Sequence, residues 1–409
     1  MSSFLAKRLD AIEPSPTLAI TALANEMKAA GKDVVGFGAG EPDFDTPTHI
    51  KDAVKKAIDD GYTKYSPAPG YLSLRELICE KIKRDNHVDL KPQNVIVSTG
   101  GKQVLYNLFM AILNPGDEVI IPTPYWVSYK DMVLLGEAKP VIIENSIENG
   151  FKLSPERLEA AITSKTKAFI MNSPSNPTGA TYTREDLEGL AAVLEKHPHV
   201  LIITDDIYEK LIYDGLEFFN LPMVNKKLID QTVIVNGFSK AFSMTGWRLG
   251  YAGCTDLSII KAMSKLQGQS TSGANSFAQK GAEVALSAGE ACIEEMKVEF
   301  VKRRDYIVQA LSECQGLKVY KPQGAFYVFP DMSELAESPG FKKLQAENPD
   351  EKSPSKLFSK VLLEQEMVAV VPGIAFGYEN GFRMSYATSM EQIKKGTDRI
   401  QKFIAALWK

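Results

Sequence analysis

The segment "QTVIVNGFSK" (231–240) places a lysine just past the end of a strand-like run. The run is continuously apolar and rich in β-branched residues, a pattern typical of a strand that is buried on both faces. Gly237 and Ser239 interrupt it, and Lys240 follows. Lysine is rarely found in apolar surroundings unless its ammonium is paired or its amine is used chemically. The segment therefore predicts a buried strand with a functional lysine beyond its carboxyl end.

Five further runs of this kind surround the segment, and helical stretches follow them. They are "NVIVSTGG" (94–101), "DEVIIPTP" (117–124), "KAFIMNSPSNPTG" (167–179), "HVLIITDDIY" (199–208) and "LGYAGC" (249–254). Buried strands that alternate with helices predict an α/β fold with a mostly parallel sheet covered on both faces.

The last 110 residues or so have a different texture. After long charged helical stretches come "GAFYVFP", "MVAVVPG" and "FRMSYAT", which predict a smaller mixed sheet. Between these, residues 336–356 are polar and contain prolines, which favours an exposed, mobile insertion.

Composition excludes several classes of protein. The chain has 409 residues, 44% of them hydrophobic and 24% charged, with a net charge of −4, so nothing suggests a nucleic-acid or membrane partner. The amino terminus lacks the apolar core of a signal peptide, and the four cysteines contain no CxxC pair. We therefore expect a soluble, cytoplasmic protein. The four histidines lie away from the strand ends, so no metal site or histidine-based triad is expected.

Polar residues cluster where the predicted strands end. Ligands of open parallel sheets bind beyond the carboxyl ends of the strands. That rule selects Gly100-Gly101-Lys102, Asn176, Asp205 and Ser239-Lys240. The sequence therefore predicts that these groups meet in one crevice.

Each group alone has an ordinary structural interpretation. The glycine pair could form only a tight turn, and Asp205 could cap a helix. Tyr208 and Trp126 are equally compatible with core positions. The Walker spacing is missing around Lys102, and Glu41 stands where "GFGAGE" (36–41) would need a third glycine for dinucleotide binding.

Together the groups describe a site for a phosphorylated aldehyde. The glycine turn offers backbone amides to a phosphate, and Arg248 offers a charged partner. An apolar pocket would free the amine of Lys240 for imine formation. A buried Asp205 would suit a protonated heterocyclic nitrogen. Pyridoxal phosphate is the cofactor with these features.

The chain resembles the class I aminotransferases over essentially its full length. The resemblance is carried, in order, by "AGEPDFDTP", "TKYSPAPG", "GGKQ", "PYWVSY", "NSPSNPTG", "TDDIYE", "SKAFSMTGWRLGYA", "GAFYV" and "FRMSYAT". It is similar to the bacterial aspartate aminotransferases of subgroup Iβ. The resemblance implies fold type I, with a seven-stranded, mostly parallel sheet and a smaller α/β domain. It divides the chain into an amino-terminal arm with part of the small domain (1–47), a large pyridoxal-phosphate domain (48–300) and a small carboxyl-terminal domain (301–409).

The resemblance also implies roles at matching positions. Lys240, Asp205 and Tyr208 would be catalytic: Lys240 would bind the cofactor and move the proton, and Asp205 would pair with the ring nitrogen. Cofactor contacts would come from Tyr65, Gly101, Lys102, Trp126, Asn176, Asp205, Tyr208, Ser239, Lys240 and Arg248. Substrate contacts would come from Gly40, Lys102, Trp126, Asn176 and Arg383.

For three of these residues the resemblance implies a specific role in substrate binding or in the dimer. Arg383 would grip the substrate α-carboxylate, and Lys102 would bind its acidic side chain. Tyr65 would reach the cofactor phosphate of a neighbouring subunit, so the active sites would be shared within a homodimer.

The expected activity is transfer of the amino group from L-aspartate to 2-oxoglutarate. An aromatic or neutral amino-acid aminotransferase, a lyase of the same fold and a non-enzymatic regulator remain alternatives. So does activity on prephenate, which relatives of this subgroup combine with a Lys-Pro-Ser-x-Thr segment. Here "EPSPT" (13–17) keeps Ser15 and Thr17 but has Glu13 in place of the lysine. Glu13 would repel a dicarboxylate, and the bulkier prephenate would sit closer to this segment than aspartate, so weak prephenate activity is expected.

Overall fold

The computed structural model describes residues 4–14 and 16–409, with the side chains of residues 16–18 outside that description. Its strands are β1 (Val35–Gly36), β2 (Val95–Ser98), β3 (Glu118–Pro122), β4 (Lys139–Ile143), β5 (Thr166–Asn172), β6 (Leu201–Asp205), β7 (Thr232–Gly237), β8 (Gly250–Gly253), β9 (Tyr327–Val328), β10 (Val368–Ala369), β11 (Val371–Pro372) and β12 (Phe382–Ser385). Its α-helices are α1 (Pro16–Ala29), α2 (Thr48–Asp59), α3 (Leu72–Asn86), α4 (Gly101–Ile112), α5 (Ser128–Leu135), α6 (Pro155–Ala161), α7 (Arg184–Leu194), α8 (Leu221–Val224), α9 (Leu257–Ser270), α10 (Ser276–Ser287), α11 (Ala291–Ser312), α12 (Pro339–Glu347), α13 (Pro354–Glu366) and α14 (Met390–Leu407).

The central sheet has seven strands in the order β2-β8-β7-β6-β5-β3-β4. β8 is antiparallel to both of its neighbours, and the other pairs are parallel. The predicted mostly parallel seven-stranded sheet is therefore confirmed. All six runs identified in the sequence are strands of this sheet, and β4 supplies the seventh.

Both faces of the sheet are buried, which explains the continuous apolar runs. In β3, Val119 and Ile121 pack in one core with residues of α4 and α9, including Leu108. Ile120, between them, points to the opposite core and packs with residues of α6 and α7. Side chains alternate between the faces of a strand, so a strand covered on both sides needs apolar residues at every position.

A second group of elements joins the two ends of the chain. β11, β12 and β9 form an antiparallel sheet, and β1 pairs with β10 through Val35↔Val368 and Gly36↔Ala369. This pairing ties the amino-terminal segment to the carboxyl-terminal part and supports the proposed two-part small domain. The proposed boundary at residue 300 falls inside the continuous helix α11.

The prediction of an exposed insertion at residues 336–356 is wrong in part. Residues Pro339–Glu347 form α12, which is capped by the side chain of Ser338. Phe341 on this helix is fully buried. The prediction failed because a polar segment can still form a helix that packs on the core through a single buried aromatic residue, here Phe341.

Among the described residues, none of the helices is both long enough and apolar enough to span a membrane. Cys79, Cys254 and Cys314 are buried free thiols, and Cys292 is half-buried.

Candidate active site

The predicted crevice exists as a cavity of about 510 Å³ beyond the carboxyl ends of the parallel strands. Eleven of the twelve residues predicted for the site line it: Gly40, Gly101, Lys102, Trp126, Asn176, Asp205, Tyr208, Ser239, Lys240, Arg248 and Arg383. The exception is Tyr65, which is 93% exposed and does not line the cavity. The residues that follow β5, β6 and β7 meet there because parallel strands end at one edge of the sheet.

One end of the cavity is built to receive an anion. Helix α4 begins at Gly101, and the first amides of a helix have no partner within it, so they can donate to a negative group. Gly100 has φ of 83°, and a Cβ there would lie 2.5 Å from Nη2 of Arg248. Only glycine therefore lets the guanidinium approach this turn. Arg248 itself has φ of 57° and donates from Nη1 to the carbonyl of Thr245 at 2.9 Å.

Lys240 lies near the middle of the cavity and is half-buried. Its ammonium donates to the carbonyl of Gly40. The pKa of Lys240 is lowered to about 8, mainly by burial and then by the positive charges of Arg383 and Arg248, while Glu41 and Asp205 oppose the shift. A lower pKa leaves a larger neutral fraction of the amine, which is the form that acts as nucleophile or base.

Asp205 ends β6 and is buried. Its Oδ2 accepts a hydrogen bond of 2.5 Å from the hydroxyl of Tyr129. The pKa of Asp205 is raised to about 6, because burial outweighs the opposing effects of the bond from Tyr129, the backbone amide of Ile207 and the charge of Lys240. The carboxylate is therefore held in place and can serve a cationic partner inside the cavity.

Arg383 is 2% exposed and keeps one donor without a partner. Nη1 donates to Oδ1 of Asn176 at 2.9 Å, and Nη2 donates to the carbonyl of Gly38 at 2.7 Å. Its Nε has no hydrogen-bond partner within the described part of the chain. The guanidinium lies 4.6 Å from the ring centroid of Tyr327. A buried, oriented arginine with a free donor is suited to binding a carboxylate.

Lys102 lies at the other side of the cavity. Its Nζ is 5.1 Å from the centroid of the Trp126 ring. Burial lowers the pKa of Lys102, as does repulsion from Arg248, while Asp131 raises it. An outer cavity of about 470 Å³ adjoins at Lys102 and Arg248 and is also lined by Glu13 and Asp131. The structure thus places Glu13 near the site, as expected; Ser15 and the side chain of Thr17 lie outside the described residues.

Sequence reasoning missed two tyrosines of the site. Tyr327 shares a hydrogen bond of 2.8 Å with the hydroxyl of Tyr208, and Tyr129 holds Asp205. Both lie in motifs quoted above, "GAFYV" and "PYWVSY". The position of Tyr129, three residues after Trp126 at the start of a helix, was the available signal.

Among the residues that the structure describes, no group of three or more His, Cys, Asp or Glu side chains could hold a metal ion.

Comparison with known proteins identifies the family. Residues 32–400 match the family model of aminotransferase class I and II. The chain belongs to the class I and II aminotransferase family. It is 50% identical to the aspartate aminotransferase of Bacillus subtilis over 400 residues, which cover 98% of each chain. It is 49% identical to the aspartate/prephenate aminotransferase of Cereibacter sphaeroides over 407 residues, 99% of this chain and 100% of that one.

Solved aminotransferase structures agree with this assignment. The aspartate aminotransferase from Rhizobium meliloti superposes with a TM-score of 0.92 at 43% identity, covering 99% of both chains. The Thermus thermophilus aspartate aminotransferase with maleate has a TM-score of 0.89 at 42% identity, covering 98% of this chain and 100% of that one. The fold and the aminotransferase family are thus established over essentially the whole chain.

Proposed function

We propose that this aminotransferase transfers the amino group of L-aspartate to 2-oxoglutarate and uses pyridoxal phosphate. The observation that carries the proposal is that Arg383 and Lys102 both line the cavity that contains Lys240. Two cations in one cavity suit a substrate with two carboxylates, such as aspartate or 2-oxoglutarate. The names of the relatives from Bacillus subtilis and Rhizobium meliloti support the same substrate.

The residues of the cavity fit pyridoxal phosphate. The glycine turn at the start of α4, with Arg248 against it, suits the phosphate. Asp205 suits the ring nitrogen and Trp126 the ring face, and Lys240 brings an amine of lowered pKa to the aldehyde. Asn176 and Tyr208 would bind the phenolic oxygen of the ring, and Ser239 would help with the phosphate.

When bound, this cofactor supplies a heterocycle that accepts the electron pair released as the substrate loses its Cα proton. The residues of the chain do the rest. Arg383, helped by Gly40 of the same cavity, would hold the α-carboxylate through its unpartnered Nε, and Lys102 would hold the second carboxylate. Lys240 would take the Cα proton and deliver it to C4′ of the cofactor, since its amine has a substantial neutral fraction near pH 8.

The proposal is tested by adding L-aspartate to the purified protein with its cofactor and no oxo acid. The visible absorbance of the cofactor should convert to that of its amine form, with one equivalent of oxaloacetate released. Subsequent addition of 2-oxoglutarate should restore the original spectrum. Conversion with aromatic or neutral amino acids but not with aspartate would favour that alternative. Loss of ammonia would indicate a lyase, and no spectral change with any amino acid would favour a regulator.

Prephenate is a second candidate substrate, because the relative from Cereibacter sphaeroides is named an aspartate/prephenate aminotransferase. We propose that Glu13 keeps this activity weak. Glu13 is exposed and lines the outer cavity beside Lys102, where its charge opposes an approaching dicarboxylate. Asp131 in the same cavity adds a second carboxyl group.

Glu13→Lys is expected to raise kcat/KM for prephenate about fivefold relative to aspartate, the size of an exposed charge interaction of about 1 kcal/mol. Steady-state kinetics at low and high salt measure this, and salt should reduce the gain. Asp398→Lys makes the same charge change on α14, away from the cavity, and should leave the ratio unaltered. The role of Glu13 would be contradicted if the wild type used prephenate as efficiently as aspartate and Glu13→Lys did not change the ratio of the two kcat/KM values.

A homodimer with shared active sites is also proposed. Tyr65 is 93% exposed and does not line the cavity of its own subunit, so its side chain is available to a neighbouring one. A partner subunit that covers Tyr65 would bring its hydroxyl to the partner's cofactor phosphate. Sedimentation equilibrium should report a mass of two chains, and a mass of one chain would contradict the proposal.

The cytoplasmic location stays a prediction from the sequence, to be checked by fractionation.

A further inference from the structure

Tyr129 is a buried tyrosine whose hydroxyl is committed to one acceptor. It lies in the first turn of α5 and is 2% exposed. Its ring meets that of Trp126 edge to face, with 5.3 Å between the centroids and an angle of 81°. Its hydroxyl donates to Oδ2 of Asp205 at 2.5 Å, which is short for a hydrogen bond between two oxygens.

Because of this bond, the two carboxylate oxygens of Asp205 have different environments. Among the described side chains, Tyr129 alone donates a hydrogen bond to this carboxylate, and it donates to Oδ2. Oδ1 accepts from no described side chain, so even with the backbone amide of Ile207 donating to the carboxylate it can accept from a partner in the cavity that Asp205 lines. The pKa of Tyr129 is raised well above its ordinary value by burial and by the adjacent Asp205, so the phenol remains a donor throughout the physiological range.

The bond also opposes the effect of burial on Asp205. A carboxylate in an apolar environment tends to take up a proton, and a neutral acid no longer stabilises a cation. Hydrogen-bond donation to the charged form favours that form. Trp126 lies two residues before α5, and Tyr129 lies in its first turn and donates its amide to the carbonyl of Trp126 at 3.0 Å, so one turn both brings an aromatic face to the cavity and holds this carboxylate.

We propose that Tyr129 is a positioning residue that keeps Asp205 oriented and ionised toward the ring nitrogen of the cofactor. This inference rests on the proposed pyridoxal-phosphate function. On this view Tyr129 strengthens the binding of a cofactor whose ring nitrogen is protonated. It does not strengthen the binding of a cofactor that lacks this nitrogen.

The test compares two cofactors, pyridoxal phosphate and its carbocyclic analogue in which CH replaces the ring nitrogen. The dissociation constants of both are measured for the wild type and for Tyr129→Phe, which removes only the hydroxyl. Pyridoxal phosphate should bind about tenfold more weakly to Tyr129→Phe, the effect of losing a hydrogen bond to a charged group. The analogue should bind equally to both proteins. Equal weakening of the two cofactors would show a merely structural role and would overturn the inference.

Two further variants make the comparison specific. Tyr125→Phe removes the hydroxyl of a neighbouring buried tyrosine, whose ring packs against Gly377, and should retain the wild-type ratio of the two dissociation constants. The same change of ratio in Tyr125→Phe would contradict the assignment to Tyr129. In an Asp205→Ala background, Tyr129→Phe should have no further effect on the ratio, because the acceptor is gone; a further tenfold effect would overturn the inference.

The outcome separates this inference from the proposed function. A wild type that binds neither cofactor would refute the function. A wild type that prefers pyridoxal phosphate, together with a Tyr129→Phe variant that keeps the full preference, would refute only the role of Tyr129.

Discussion

Lys240→Ala is expected to lower kcat for transamination by about a thousandfold or more, because a positioned acid–base group alone contributes about 10²- to 10⁴-fold. The amine of Lys240 lies in the same cavity as Asp205 and Arg383, and its pKa of about 8 makes a neutral amine available. Alanine would remove both the proposed attachment point for the cofactor and the group proposed to move the proton. Single-turnover measurements with aspartate report the loss directly.

The matched control for this change is Lys240→Arg. Arginine retains a positive charge but cannot become neutral in the physiological range, so it should be as inactive as alanine. The phosphate contacts around Arg248 and the start of α4 remain in both variants, so both should still bind cofactor. Near-normal turnover in either variant would show that Lys240 is not the catalytic amine.

Asp205→Ala is expected to reduce kcat by a similar factor, about a thousandfold, while KM for aspartate changes much less. The carboxylate is buried at the end of β6, where it accepts a hydrogen bond from Tyr129, and its proposed partner is the ring nitrogen rather than the substrate. Its effect should therefore appear in the chemical step, where a protonated ring nitrogen stabilises the developing negative charge. A loss confined to KM would contradict this role.

The adjacent Asp206→Ala is the natural comparison. Asp206 is 2% exposed but does not line the cavity, and its Oδ2 accepts from Asn220 at 2.8 Å and from Thr204 at 3.3 Å. Burial, together with the nearby carboxylate of Glu209, raises its pKa to about 8. Alanine should therefore lower the free energy of unfolding by about 1–3 kcal/mol, by leaving Asn220 without its acceptor, and should retain most of kcat. Equal catalytic losses in Asp205→Ala and Asp206→Ala would mean that the wrong aspartate, or the wrong role, was assigned.

The central sheet and the location of the site could be predicted because both depend on local pattern. A strand covered on two faces must be apolar throughout, and six such runs were visible. Groups placed after parallel strands must meet at one edge, so Lys240 and Asp205 could be brought together without knowing the strand order. Helix α12 was missed because its single buried anchor, Phe341, is surrounded by polar residues and prolines.

The sequence by itself thus determined the fold class, the crevice and, through the resemblance, the candidate chemistry. Only the tertiary structure decided how the site residues are oriented. Tyr129 and Asp205 are 76 positions apart, Tyr208 and Tyr327 are 119 apart, and Asn176 and Arg383 are 207 apart. Local periodicity reports which face of an element is buried, but not which distant side chain it meets there. Those pairings follow from the packing of α5 and of the carboxyl-terminal strands against the sheet, which no short stretch of sequence encodes.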